Sequence, residues 1–477
     1  MAETDTPPLW RLDALLAAAG GRLEGPPGGD IAGVSIDTRT LQPGDLFVAL
    51  KAERDGHDFV ASAFARGAAA ALVAETFAAP PGIGPLIRVA DPLAALEAIG
   101  RAARTRLHPG ARVIAVTGSV GKTGTKEALR SCLALAGPTH ASEKSYNNQW
   151  GVPLTLARMP AGTRFAILEI GMNHSGEITP LSRMARPHLA IVTTVAPVHI
   201  EFFASETAIA DAKAEIFAGL EPGGVAILNR DNPHFDRLAA HAREAGAARI
   251  LAFGSAAQAD ARVVAATPSA GGTRVEAVID GEPLAYRIGA PGTHYVMNSL
   301  AVLAAVKLAG ADIATAARAL ADIAAPVGRG ARTRLAAPGG TILLIDESYN
   351  ANPASVGAAL AAMATASRTE FPRRIAVLGD MRELGARSDA LHVGLLPALE
   401  AAGIDRLFAS GPHMRTLFDA VPATMRALHA PEAAGLEAEL LAALRAGDVV
   451  MVKGSLGSRM GPLVEAIRKH FADAGAG

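Results

Sequence analysis

The chain has 477 residues, half of them hydrophobic, a formal charge of −1 and an aromatic content of 4%. That length predicts several domains, and the near-neutral charge with few aromatics argues against nucleic acid as the main partner. No apolar run reaches the ~18 residues of a membrane span, the start MAETDTPPLW lacks a secretory pattern, and a lone Cys132 excludes an internal disulfide, so a cytoplasmic protein without membrane insertion is expected.

Residues 1–108 read as a small α/β domain. Residues 9–19 carry an amphipathic helical pattern that ends at Gly20-Gly21, and 34–39 (VSIDTR) reads as a strand running into a polar turn. A strand at 46–50, a polar loop with Asp55 and His57, and a helix with Phe59, Ala63 and Phe64 follow. Ser35, Asp37 and Arg39 gather donors and acceptors beside a strand end, which suits a sugar or phosphate ligand. A solvated polar loop accounts for them equally well.

Residues 109–331 read as a larger doubly wound domain, with apolar strand runs at 112–117, 165–170, 189–195 and 224–228 separated by helical stretches. The first run ends in TGSVGKT at 117–123. Strand, glycine loop, Lys-Thr and helix form an arrangement that cradles a nucleotide triphosphate: backbone N–H groups face the phosphates, the lysine adds charge and the threonine hydroxyl reaches Mg²⁺. The common form of this loop has a glycine five residues before Gly121, where this chain has Val116. Cys132 lies on the following helix, where a small buried thiol is expected.

In such sheets ligands gather beyond the carboxyl ends of the strands. Glu169 ends the second run and is placed to hold Mg²⁺ or to form a strand-end salt bridge. Asn147 and Asn148 offer amides in a turn, for a substrate or for the turn itself. His199 follows the polar turn at 193–197, as a ligand or as a structural residue. Lys213 falls on the same helical stripe as Ile209, Ile216 and Phe217. Burial there would lower its pKa, and a neutral amine adds CO₂ to form an anionic carbamate; a lysine whose head snorkels to water fits the spacing equally. Asn298 lies on a helix after a glycine loop, and Arg329 in a glycine-flanked turn that suits phosphate or a helix cap.

Residues 332–477 read as a third α/β unit with strands at 341–345, 374–378, 405–409 and 448–452. Polar clusters follow three of them: DESYNANP at 346–353, GDMRELG at 379–385 and KGS at 453–455. They mark a second ligand edge. No GxGxxG fingerprint for a nicotinamide cofactor is present.

Taken with YNNQWGVPLTL at 146–156, EIGMNHSGEI at 169–178 and AKAEIF at 212–217, these motifs resemble the Mur ligases, ATP-dependent amide ligases of peptidoglycan precursor synthesis, over nearly the whole chain. DESYNANP and VLGDMRELG point to members that join D-Ala-D-Ala to UDP-MurNAc-tripeptide. The resemblance implies three α/β domains: a small N-terminal one for the UDP-sugar peptide, a central doubly wound ATPase with a P-loop, and a C-terminal Rossmann-like one for the incoming dipeptide. It implies that Gly118, Ser119, Val120, Gly121, Lys122, Thr123 and Gly124 hold the ATP phosphates. Thr123, Glu169, His199 and a carbamylated Lys213 would hold Mg²⁺. Asn298, Arg329 and Asp346 would contact adenine, phosphate and ribose. Ser35, Asp37, Arg39, Asn147, Asn148, Asn350 and Asn352 would bind substrates, and Lys122, His199, Lys213 and Arg329 would act in catalysis. Glu347 departs from the family's second aspartate. A monomer is expected.

Other readings are a sister ligase or folylpolyglutamate-type enzyme with a different amine, a P-loop ATPase or kinase, and a non-catalytic nucleotide-binding scaffold. Intact Lys122, Thr123, Glu169 and His199 speak against the scaffold, and the second ligand edge speaks against a simple kinase.

Overall fold

The computed structural model describes residues 7–198, 200–269, 272–290, 292–323 and 328–474. Their strands form three sheets, taken in chain order by the N-terminal, central and C-terminal parts of the chain. The first orders Arg22–Glu24, Leu86–Val89, Ala70–Ala74, Asp45–Val48 and Gly33–Ser35, with only the first pair antiparallel. The expected strand at 34–39 is shorter. It stops at Ser35, whose Oγ donates to Asp37 O (3.0 Å) and accepts from Asp37 N–H (3.3 Å), so local side-chain bonding replaces the ladder. The first helix also starts late, at Leu12, because Trp10 pairs with Ile31 in a bridge.

The central sheet has nine strands. Five parallel neighbours, Arg249–Gly254, Val225–Asn229, Leu189–Val192, Arg112–Thr117 and Phe165–Glu169, form its middle, and short Thr139–Ala141 forms one edge. Their side chains alternate between two cores: Val113 and Ala115 point into one, Ile114 and Val116 into the other. Strands buried on both faces read as continuous apolar runs. The expected run at 189–195 leaves the sheet after Val192, and residues 193–196 turn across the phosphate loop. At the other edge Ala261–Ser269, Gly272–Ile279 and Glu282–Ile288 add an antiparallel ribbon that the sequence reading did not place. Helix Thr293–Leu308 packs beneath it, with Leu300 to Val306 buried.

The third sheet orders Ala331–Ala337, Gly340–Glu347, Asp448–Lys453, Arg373–Gly379, Arg406–Ser410 and Arg426–Ala430, parallel except for the first pair. No described helix is long and apolar enough to cross a membrane.

The first two sheets are joined by a polar seam. Trp10 Nε1 donates to Ala157 O (2.8 Å), and the Arg106 guanidinium stacks 3.6 Å over the Trp10 ring while donating to Leu9 O (2.9 Å) and Met159 O (2.7 Å). Arg158 Nε donates to Val34 O (2.6 Å). The central and C-terminal parts touch differently, through a loop contact: Gly385 N–H donates to Glu201 Oε2 (3.2 Å) and Glu201 N–H to Glu383 O (3.4 Å).

Candidate active site

The phosphate loop leaves strand Arg112–Thr117 at a point where the sheet order reverses, with the next strands in sequence lying to one side and later ones to the other. Gly118 (φ 147°) and Gly121 (φ 88°) take backbone conformations open to glycine. A Cβ on Gly118 would overlap Thr193 Oγ1, and one on Gly121 would lie 2.7 Å from Asn298 Nδ2. Glycines stand where the loop passes these two side chains. Val116 is a fully buried strand residue, so the loop is short because the strand runs on to Thr117. Thr193 Oγ1 donates to Val120 O (2.6 Å), and Ser119 Oγ donates to Ala196 O (2.9 Å), strapping the loop to residues 193–196.

Helix Lys122–Ala134 opens at Gly121 and buries Leu129, Cys132 and Leu133 against the sheet. Burial pushes the Cys132 thiol up to about 12, so it is an inert core group. Lys122 Nζ donates to Gly118 O (2.6 Å). Burial lowers its pKa; Glu169 opposes that shift and Arg329 adds to it.

Glu169 ends its strand at 1% exposure. Oε1 accepts from Asn147 Nδ2 (2.8 Å), while Oε2 is buried with no hydrogen-bond partner among the described residues. A buried, unsatisfied carboxylate oxygen beside a phosphate loop fits a cation ligand better than a salt bridge. Lys213 sits on helix Glu206–Ala214, capped by Ser205, at 3% exposure. Among the described residues it has no hydrogen-bond or ion-pair partner, and burial, with Lys122 nearby, holds its pKa well below the ordinary value. The neighbouring Glu215, unremarked in the sequence, accepts from Gly176, Ile178 and Thr179 N–H at 2.5–3.1 Å and caps helix Ile178–Ala185. His199 lies outside the described residues.

A cleft of about 650 Å³ opens over the loop. One wall holds residues 119–124, Asn147, Glu169 and Asn298; the other holds Arg329, Glu347, Tyr349, Asn350, Asn352 and Lys453. Arg329 stacks 4.4 Å over the Tyr349 ring, and its carbonyl accepts from Tyr295 Oη (3.0 Å). Lys453, 2% exposed, donates to Glu347 Oε2 (3.1 Å) and Asn350 O (2.9 Å); burial lowers its pKa against the pull of Glu347. Among the described residues, Lys122, Arg329 and Lys453 thus face one space with the carboxylates of Glu169 and Glu347, a net positive field that attracts phosphate. Tyr295 carried no signal in the sequence.

Other expected residues lie apart from this cleft or have their side chains engaged in local structure. Asp346 is buried behind the wall. Its Oδ2 accepts from Gly328 N–H (3.2 Å) and Arg468 Nη2 (3.4 Å), and Oδ1 from Ser348, so it fixes the turn that presents Arg329. Asn352 lines the cleft, but its side chain forms a capping box with Ser355 on helix Pro353–Ala364. Asn148 Oδ1 accepts from Trp150 and Gly151 N–H (3.2 and 3.0 Å), which is turn chemistry. Asp37 and Arg39 form a bidentate pair (2.7–3.1 Å) on the N-terminal part of the chain. The Arg39 partner holds Asp37 below the usual carboxylate range, with Lys144 of the central part adding to the effect.

Comparison with known proteins agrees with this arrangement. Residues 30–102 match the Mur ligase family catalytic domain, 116–306 the Mur ligase middle domain, and 328–456 the Mur ligase glutamate ligase domain. The UDP-N-acetylmuramoyl-tripeptide–D-alanyl-D-alanine ligase of Escherichia coli is 36% identical over 92% of this chain and 94% of its own. A crystal structure of MurF from Acinetobacter baumannii superposes with a TM-score of 0.84 at 27% identity, covering 97% of this chain and all of the other. MurF from Thermotoga maritima in complex with ADP superposes with a TM-score of 0.75 at 25% identity, covering 92% of this chain and 98% of the other. The chain belongs to the Mur ligase family, on the branch of the UDP-N-acetylmuramoyl-tripeptide–D-alanyl-D-alanine ligases.

Proposed function

We propose that this enzyme joins D-Ala-D-Ala to UDP-MurNAc-tripeptide at the expense of ATP, through an acyl phosphate, in peptidoglycan precursor synthesis. The observation that carries the reading is the cleft whose one wall is a phosphate loop and whose other is the second ligand edge at 347–352 and 453. A kinase needs only the first wall; a ligase must bring an amine to the activated carboxyl. We assign 1–108 to the acceptor, 109–331 to ATP and 332–477 to the dipeptide, one sheet to each.

A carboxylate is a poor electrophile and repels a phosphate. The γ-phosphoryl group passes to the terminal carboxylate of the tripeptide, giving an acyl phosphate and ADP. The dipeptide amine then attacks the acyl carbon, and the tetrahedral intermediate expels inorganic phosphate as the amine loses its proton. The protein's part is positioning and charge neutralisation. Lys122 would exchange Gly118 O for the β- and γ-phosphates, and Arg329 would meet phosphate from the opposite wall. Asn298 stands beside Gly121 on the nucleotide side, while Asn350 and Asn352 stand on the dipeptide side. Asp346 would act on the nucleotide through the 328–330 turn. Ser35, Asp37, Arg39 and Asn147 would meet the acceptor.

Glu169 Oε2, without a hydrogen-bond partner among the described residues, the Thr123 hydroxyl and a carbamate on Lys213, with His199, would suit Mg²⁺. When bound, the ion supplies charge neutralisation between phosphates. All these residues come from one chain, which supports a monomer, and a buried unpaired cysteine accords with the cytoplasm.

The test is an ADP-release assay with UDP-MurNAc-tripeptide and a panel of amines. D-Ala-D-Ala alone should drive turnover; equal turnover with diaminopimelate, lysine or glutamate would assign the enzyme to a sister activity.

A further inference from the structure

Lys126 stands one helical turn after Lys122 and is fully buried, at 0% exposure. Its ammonium donates to Ser142 O (2.7 Å) and Lys144 O (2.9 Å) and pairs with Glu127 Oε1 (2.7 Å). Two of its N–H donors thus go to backbone carbonyls, and its charge is paired with Glu127. Burying an ammonium costs its hydration, and this one is spent on two backbone carbonyls of a loop. The loop needs fixing, because it passes through Lys144 at φ 48°, a conformation side chains rarely adopt.

What the loop carries makes the pin consequential. Ser142 Oγ accepts from Glu169 N–H (3.1 Å), and Asn147 Nδ2 donates to Glu169 Oε1 (2.8 Å). Among the described residues the loop thus holds both the Glu169 backbone and, through Asn147, its carboxylate, whose Oε2 has no hydrogen-bond partner there. The path runs from the phosphate helix through Lys126 to residues 142–147 and back to the carboxylate across from the phosphate loop.

We propose that Lys126 is a positioning residue: by pinning residues 142–147 to the phosphate helix it sets, through Asn147, the orientation of the Glu169 carboxylate toward a divalent cation. The inference rests on the reading of Glu169 as a metal ligand. A lysine with a merely structural role would affect stability and leave metal binding alone.

The experiment compares full-length wild type, Lys126→Met, Asn147→Ala and the double variant. Mn²⁺ serves as the probe, its binding in the presence of ADP read by electron paramagnetic resonance, with melting temperature and ADP affinity in the absence of metal measured alongside. Lys126→Met should weaken Mn²⁺ binding about 10- to 100-fold, the range for outer-shell partners of a metal ligand, while metal-free ADP affinity stays near wild type. Because both residues act through one carboxylate, the double variant should bind Mn²⁺ no more weakly than the worse single variant. Wild-type Mn²⁺ affinity in a Lys126→Met protein whose melting temperature has fallen overturns the proposal, as does a double-variant loss equal to the product of the single losses. Should Lys126→Met not fold, Lys126→Gln keeps two N–H donors and is expected to weaken Mn²⁺ binding by an intermediate factor; unchanged binding in that variant overturns the proposal equally. Failure of wild type itself to bind Mn²⁺ with ADP would sink the Glu169 reading, and the proposal with it.

Discussion

Lys122 Nζ donates to the carbonyl of Gly118, 2.6 Å away, so the lysine of the phosphate loop is held by the loop it serves. The ammonium is thereby kept at the mouth of the cleft, partly desolvated, with its pKa lowered by burial. Phosphate oxygens need only displace one carbonyl to take it over.

Lys122→Ala is accordingly expected to fold, because among the described residues the side chain hydrogen-bonds only within the loop. Ligation should fall on the order of a hundred- to a thousandfold in kcat, the scale for removing one preorganised charge donor. ADP release at saturating substrates, with circular dichroism as the control for folding, measures it.

Gly118 has the opposite character. A methyl group there overlaps Thr193 Oγ1 at a backbone angle that suits glycine. Gly118→Ala should lower stability by about 2–4 kcal/mol from overlap and strain together. Urea unfolding gives that figure, and the variant should also lose the rise in melting temperature that ADP gives wild type.

Lys213 tests the chemistry of burial. Its amine has no partner among the described residues, and the cost of desolvating a charge favours the neutral, nucleophilic form. Protein equilibrated with ¹³C-labelled bicarbonate should show a carbamate carbonyl resonance that is absent from Lys213→Arg. A wild-type spectrum without that resonance, in an active sample, would dismiss the carbamate.

His188 predicts a pH effect away from the cleft. Its Nδ1 accepts from Val113 N–H (2.9 Å), and burial, reinforced by Arg104 and Arg112, lowers its pKa to about 4. The unfolded chain takes up the proton near the ordinary histidine value, about 6.5, while the native state resists it. Stability is therefore full above that value and falls as pH drops toward 4, by about 2 kcal/mol in all after allowance for partial exposure. His188→Asn keeps an acceptor near Nδ1 and removes the titration, so its urea midpoint should vary less across this window than that of wild type.

The parallel strands were legible because both their faces are buried, and each carries an unbroken apolar run, FAIL at 165–168 and VVMV at 449–452. Strands Ala70–Ala74 and Leu86–Val89 were not placed: AALVA suits a helix as well as a strand, and only the neighbouring strands decide. The antiparallel ribbon escaped because it alternates, with Val275 and Ala277 inward and Glu276 outward, and so contains no apolar run. In the site, residues bound to a local motif could be read, Lys122 and Glu169 among them. Tyr295 on Arg329 O and Lys126 on Ser142 O act across the fold, and no spacing encodes such pairs. Asp346 was legible as a polar residue after a strand, yet its carboxylate serves Gly328 and Arg468, a use only the folded chain reveals.

The seam of Trp10, Arg106 and Arg158 bears on how such a molecule can diversify. It locks the N-terminal part to the central part by buried stacking and backbone bonds, whereas the C-terminal part meets the centre at the Glu201–Gly385 loop contact. Among the described residues, a graft that replaces the last third of the chain would cut loop contacts, while one that replaces the first would have to rebuild the buried seam. The C-terminal part, to which we assign the amine, is therefore the interchangeable one, and new amide products are most accessible by exchanging it.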